Sequence, residues 1–257
     1  MSARLEDAGD RLIIWNGNTD KRGALSPELY ACIVQACETA TAERRVRSII
    51  LTAEGPFFCA GGDLNQLIKS QGMPADQRTA RIDGLHDVIR AMRACPVPFI
   101  AAVEGGAAGA GLSFALACDV IVAAKGAKFV AAYVKAGLVP DGGLTAHLAR
   151  ALPRQLSMEM CLLAQPVLAE RMNALGVVNA LTEVGDTMML ARSFADRFAA
   201  GPRDAQSAIR TMVAAAYDAT EADQLDHERD AMGHATGAPE AAEGIAAFLE
   251  KRSPNYG

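Results

Sequence analysis

Aromatic residues are scarce in this chain of 257 residues: one Trp, four Tyr and eight Phe, 5% of the total. Half of the residues (51%) are nonetheless hydrophobic and alanine is abundant, a mix that suits helices packed closely on other elements. No C-x-x-C pair occurs among the six cysteines, Cys32, Cys37, Cys59, Cys95, Cys118 and Cys161. Their wide spacing predicts reduced, mostly buried thiols and a cytoplasmic setting. Lys and Arg are scattered and the net charge is −5, which argues against a nucleic-acid surface, because phosphate binding needs clustered cations. The N-terminal MSARLEDAGDR is charged and lacks an apolar stretch, so no secretory signal is expected. The most apolar run, Val97 to Val103, is too short to span a bilayer, and no membrane partner is expected. None of the four histidines, His86, His147, His227 and His234, stands in a metal-ligand spacing, so no metal is expected and each reads as a surface or packed residue. No G-x-S-x-G or Cys/His arrangement supports a nucleophilic hydrolase.

What is present is an alternation of strands and helices. Arg11 to Asn16 reads as a strand, and Ser26-Pro27 opens a helix that runs to about Arg44. Val46 to Thr52 is a β-branched run, the pattern of a strand buried on both faces. It ends in AEGPFFCAGGDL, a Gly-rich loop leading into a helix near Asp63. Lys69 to Arg81 is polar, contains Gly72 and Pro74, and reads as a mobile loop. Ile82 to Ala94 has helical periodicity and stops at Pro96 and Pro98, and FIAAV follows as a buried strand. A second Gly-rich loop, EGGAAGAG, precedes a helix over LSFALAC and strands at Asp119–Ala123 and Ala127–Val130. From Thr187 on the chain reads as helices only, a helical appendage. This order predicts an α/β fold with parallel strands, and both Gly-loops follow strand ends, where such folds place ligands.

The two Gly-loops carry the chemistry. Small residues let a ligand approach the backbone, and N–H groups at a helix N-terminus are unpaired and partly positive. Two such donors aimed at one oxygen make an oxyanion hole, each donor worth roughly 10²–10³ in rate. Taken singly, either loop reads equally well as a tight turn beside a closely packed helix. A dinucleotide fingerprint suits them less, since AGAG lacks the G-x-G-x-x-G spacing and no acidic residue ends a strand about 20 residues later.

Together the segments resemble the crotonase (enoyl-CoA hydratase/isomerase) superfamily over nearly the whole chain. TDKRGALSPEL resembles its early turn that contacts coenzyme A, and FFCAGGDL its first oxyanion loop. PVPFIAAVEGGAAGAGLSFALACDVIVAA resembles the second oxyanion loop, AKFVAAYVKAGLVPDGG the catalytic loop, and GIAAFLEKRSPNYG the usual ending. The resemblance implies a spiral of ββα turns over residues 1–195 and a C-terminal helical region over 196–257 that packs against neighbouring subunits as a homotrimer or a dimer of trimers. It puts the oxyanion N–H groups on Gly62 and Ala110. It also implies that Lys21, Arg22, Ala24 and Leu25 lie near the adenine and phosphates. Ala60, Asp63 and Leu64 would line the adenine and pantetheine path, with Phe248 and Lys251 reaching the nucleotide of a neighbouring subunit. The substrate is then an acyl-CoA thioester, with coenzyme A as part of it and no separate cofactor.

The family's hydratases position and activate one water with two glutamates. Those positions fall six residues before Asp119 and four after Phe129, and this chain has Ser113 and Tyr133 there. Both hydroxyls are weak bases at neutral pH, the phenol pKa being about 10. One carboxylate remains, Asp141 in LVPDGG. Here the chain resembles the subgroup of isomerases acting on ring-epoxidised phenylacetyl-CoA and of enoyl-CoA double-bond isomerases, which lack both glutamates and move a proton with this Asp. Leu144 and Ala146 depart from the subgroup's usual residues. By local pattern alone Asp141 reads as the N-cap of a helix over GGLTAHLARAL. Glu104 reads as a capping or structural group, Asp119 as making buried hydrogen bonds and Asp63 as a helix cap, and His147, just after the catalytic loop, is the histidine to check for proximity to Asp141. Two other readings stay open: a hydratase with atypical water-holding groups, and a non-catalytic acyl-CoA-binding protein.

Overall fold

The computed structural model describes residues 2–256. Ala3–Asp7 (β1) and Arg11–Asn16 (β2) pair antiparallel, and Gly9 turns the chain between them at φ +87°. The first of these strands is absent from the sequence reading. It lies at the sheet's edge with only Ala3 buried, so its charges face water and hide the strand pattern.

After the helix Pro27–Ala42 (α1), the chain enters Ser48–Ala53 (β3), which pairs in parallel with β2. Ser26 caps α1 by accepting the Leu29 N–H at 3.2 Å, and Pro27 takes the first helical position, as the sequence predicts. The polar segment from Lys69 to Arg81 is a correction. It belongs to two helices, Leu64–Gln71 (α2) and Ala75–Ala94 (α3), interrupted only by Gly72, Met73 and Pro74. The helix expected near Asp63 is α2, which runs on past Lys69, and the first turns of α3, ADQRTAR, bury no side chain, so no apolar stripe marks them in the sequence.

Phe99–Val103 (β4) is followed by the short strand Gly106–Ala108 (β5) inside the second Gly-loop, then Ala110–Ala117 (α4), Val120–Ala124 (β6) and Lys128–Val130 (β7). Further on come Leu144–Ala151 (α5), Arg154–Leu163 (α6), Val167–Leu168 (β8), Ala169–Ala174 (α7) and Ala180–Thr182 (β9). The larger sheet runs β1-β2-β3-β4-β6-β9, all parallel except β1, and the smaller runs β5-β7-β8. This is the α/β spiral expected, with antiparallel pairing at an edge of each sheet.

Register sorts the larger sheet's two faces. Ile13, Ile50, Ile100 and Val120 are cross-strand partners in one row, and Ile14, Leu51, Ala101 and Ile121 form the next. The second row joins the main core, under α1, α3 and α4. The first is closed by Ala191 and Ala195 of Thr187–Ala199 (α8). The first of the C-terminal helices is therefore the sheet's outer cover, and the boundary expected at 195/196 falls inside it. Arg203–Ala215 (α9), Glu221–Thr236 (α10) and Pro239–Glu250 (α11) follow. Buried Arg203 ties α9 to the spiral by donating to the carbonyls of Val46 (3.2 Å) and Ala40 (2.6 Å). Among the described residues all six cysteines are free thiols, four of them buried, and no helix is long and apolar enough to cross a membrane.

Candidate active site

Three backbone segments run side by side at the ends of β2, β3 and β4. The Ala60 N–H donates to the Arg22 carbonyl (3.0 Å) and the Leu25 N–H to the Gly61 carbonyl (2.8 Å). On the other side, the Ala108 N–H donates to the Cys59 carbonyl (2.9 Å) and the Cys59 N–H to the Gly106 carbonyl (3.4 Å). The early turn and both Gly-loops thus form one hydrogen-bonded ladder. Two glycines permit its closeness. A Cβ on Gly61, at φ +92°, would stand 2.7 Å from the Ala108 carbonyl and 3.1 Å from the Ala110 nitrogen. A Cβ on Gly111 would stand 2.4 Å from the Cys59 carbonyl oxygen.

The sequence expectation puts the oxyanion donors on the Gly62 and Ala110 N–H groups, which lie at the ends of the two adjoining loops. Neither donates to an acceptor among the described residues. Ala110 is also the first residue of α4, whose free N–H groups carry partial positive charge.

Beside the second Gly-loop is a cluster built from α4, the short helical turn Ala132–Ala136 and the loop before α5. The Tyr133 hydroxyl donates to Asp141 Oδ1 at 2.7 Å, and fully buried Ser113 donates through Oγ to the Asp141 carbonyl at 3.0 Å. The two hydroxyl oxygens lie 3.5 Å apart. The Tyr133 ring reaches to 4.0 Å from where a Gly109 Cβ would be, joining the carboxylate to the second Gly-loop. Burial and the Asp141 charge both push the Tyr133 phenol pKa up, so it stays protonated and serves as a donor. Tyr30, packed on Phe114 with ring centroids 6.1 Å apart, is pushed up by burial and then by Asp141.

Asp141 is not the cap that its local pattern suggests. Gly143, at φ +75°, is the N-cap of α5, and Asp141 contributes only its carbonyl, to the Leu144 N–H at 3.1 Å. Its carboxylate is left for Tyr133. His147 makes no hydrogen bond to Asp141; it packs with Nε2 3.3 Å from the Gly143 Cβ position. Its pKa falls to about 4, chiefly from burial, with Arg93 and Arg150 adding to the shift. The histidine at the site is His86, whose Nε2 accepts the Gly142 N–H at 3.2 Å. A signal for it existed in the sequence. Ile82, His86 and Ile89 fall on one helical stripe, which turns His86 inward.

At the other end of the ladder, Lys21 Nζ pairs with Asp63 Oδ2 at 2.6 Å. Asp63 also caps α2 by accepting the Asn65 N–H at 2.9 Å, as expected, and Lys21 and that N–H hold its pKa down. The Arg22 guanidinium lies 4.3 Å over the Phe57 ring and lines a cavity of about 130 Å³ with Asn16, Thr19 and Pro56. Ala24 is buried, Leu25 and Ala60 are half-buried, and Leu64 is exposed. Phe248, 83% exposed, and Lys251 sit at the end of α11, and no bond among the described residues brings them to the ladder. Glu104 accepts from the Gly185 N–H and from both donors of Thr187, and Asp119 accepts from the Phe99 N–H and Arg210. Glu104 has the structural role read for it, whereas the Asp119 bonds, expected to be buried, are made at the surface. Among the described residues no three His, Cys, Asp or Glu side chains converge as a metal site.

Comparison with known proteins gives matches over most of the chain. The profile of the enoyl-CoA hydratase/isomerase family matches residues 17–257. The 1,2-epoxyphenylacetyl-CoA isomerase of Escherichia coli is 32% identical over 92% of this chain and 91% of its own length. A probable enoyl-CoA hydratase of Rhodobacter capsulatus is 34% identical over 84% of this chain and 82% of its own. The crystal structure of an enoyl-CoA hydratase from a Polaromonas species superposes with a TM-score of 0.96, 40% identity and 99% coverage of both chains.

Proposed function

This chain belongs to the enoyl-CoA hydratase/isomerase family, within the crotonase superfamily, and on that premise we propose that it isomerises an unsaturated acyl-CoA with Asp141 as proton carrier. The observation that carries this reading is the cluster beside the second Gly-loop. It holds one carboxylate, Asp141, and two hydroxyls, Ser113 and Tyr133, where the hydratases carry glutamates. Ser113 is spent on the Asp141 carbonyl and Tyr133 on the carboxylate.

The chemistry balances with one base. With the thioester oxygen between the Gly62 and Ala110 N–H groups, a proton passes from a carbon beside the carbonyl or its double bond to Asp141. The electron pair moves into the thioester as an enolate. The same proton then returns from Asp141 to another carbon, and the double bond has shifted with no atom gained or lost. Oxyanion donors contribute roughly 10²–10³ each and acid–base help 10²–10⁴. Lys21, Arg22, Ala24, Leu25, Ala60, Asp63 and Leu64, along the ladder, are proposed to hold the coenzyme A portion, which arrives with the substrate. Phe248 and Lys251, exposed on α11, are proposed to act from a neighbouring subunit of a trimer or a dimer of trimers.

Asp141→Asn is expected to keep acyl-CoA binding and lose exchange of the ester's carbon-bound hydrogens with D₂O, followed by NMR across a panel of esters. Full exchange in that variant would sink the assignment. Hydration is the second reading, because several similar proteins carry the name hydratase. Incubating crotonyl-CoA in ¹⁸O-water separates the two, since only hydration leaves label on the β-carbon.

A further inference from the structure

We infer that His86 is a positioning residue for Asp141, acting through the backbone of Gly142; the inference rests on Asp141 as proton carrier. The Asp141–Gly142 peptide is gripped from both sides. Its carbonyl accepts the Ser113 hydroxyl at 3.0 Å and the Leu144 N–H at 3.1 Å. Its N–H donates to His86 Nε2 at 3.2 Å. Space around it is as tight as its bonding. Gly142 is buried at φ +60°, and a Cβ there would stand 2.8 Å from Ser113 Cβ and 3.5 Å from Leu85 Cδ2. The peptide therefore lies in a slot between α4 and α3, and its tilt decides whether the Asp141 carboxylate meets Tyr133.

An N–H donates only to a ring nitrogen that bears no hydrogen. His86 is accordingly neutral, with its proton on Nδ1. The lone pair so engaged is not open to a substrate proton, which makes His86 a holder of Asp141 and not a second base. The neighbouring inward positions of α3 are Leu85, Val88, Ile89 and Met92, none of which offers an acceptor. With an apolar residue at 86, the buried Gly142 N–H would be left unpaired. The turn would rotate to reach water, carrying Asp141 with it.

Two measurements test this. In ¹⁵N-histidine-labelled wild-type protein, the ring nitrogen shifts of His86, identified by their loss in His86→Gln, are expected to report the neutral Nδ1–H tautomer. In the exchange assay, His86→Phe is expected to lower kcat by about 10²-fold, the cost of a misplaced catalytic group, with KM for the ester little changed. His86→Gln, whose amide oxygen can accept the same N–H, is expected to recover most of that loss. An Nε2–H tautomer, a folded His86→Phe variant with wild-type kcat, or equal losses in Phe and Gln would each overturn the inference. Asp141→Asn is assayed in parallel to keep the two readings apart. If it exchanges at the full rate, the proton-carrier reading falls and the inference with it. If it is dead while His86 carries Nε2–H, the inference falls alone.

Discussion

Gly111→Ala is the sharpest probe of the ladder. The new methyl group would stand 2.4 Å from the Cys59 carbonyl oxygen and 2.7 Å from both Cys59 Cβ and Sγ. The nearest of these is a backbone atom already bonded to the Ala108 N–H, so no rotamer relieves the clash and the two loops must separate. Overpacking of this kind costs about 1–3 kcal/mol. For a chain of this length that lowers Tm by about 2–12 °C. Separation also shifts the Ala110 N–H, and on the proposed function a donor misplaced by about 1 Å should cost roughly 10²-fold in kcat. Gly62→Ala is the control for stability. Its Cβ would meet only Leu67 Cδ1, at 3.8 Å, so the expected change is within about 0.5 kcal/mol. Thermal unfolding and the D₂O exchange assay read both effects. A Gly111→Ala protein with wild-type Tm and kcat would refute the reasoning. So would full recovery of Tm in a Cys59→Ala/Gly111→Ala double variant, because removing Sγ leaves the carbonyl in place.

Two further outcomes follow from the site. Tyr133→Phe removes a 2.7 Å hydrogen bond to a carboxylate, worth about 1.5–3 kcal/mol, and is expected to lower kcat at least tenfold with ester affinity little altered, measured by steady-state exchange and calorimetric binding. His147 gives a pH dependence of stability. Its folded pKa of about 4 lies below the unfolded value of 6.5, so the unfolded chain binds the extra proton between those limits. Stability is therefore full above pH 6.5 and falls toward pH 4 by an amount on the order of 3 kcal/mol. Urea unfolding at stepped pH should record that slope, and His147→Gln should flatten it; an unchanged slope in the variant would contradict the assignment.

The sequence made much of this legible where a single physical signal dominates. Buried parallel strands announce themselves as apolar runs, and β3 and β4 lie within a residue or two of their predicted limits. The caps at Ser26 and Asp63 were legible because side-chain oxygens at helix starts act locally. Edge and surface elements were not. β1 and the start of α3 face water, so their patterns resemble loop. Asp141 was legible as a candidate, yet its local pattern pointed to capping, and only the long-range bonds from Tyr133 and Ser113 assign its carboxylate and carbonyl different tasks. His86 lies 56 positions from Gly142, and nothing in its neighbours along the chain names that partner.

The ladder has one further consequence, for how such a scaffold can diversify. The two N–H groups are held by carbonyls, amides and the absence of side chains at Gly61 and Gly111. Their geometry is therefore set by backbone bonds and close approach, not by the hydroxyls and carboxylate nearby. Ser113, Tyr133 and Asp141 hang on α4, the Ala132–Ala136 turn and the loop before α5, and none of their side chains supplies a bond of the ladder. On the proposed function, the holder of the oxygen and the chooser of the reaction are separate inheritances, one written in backbone and the other in side chains.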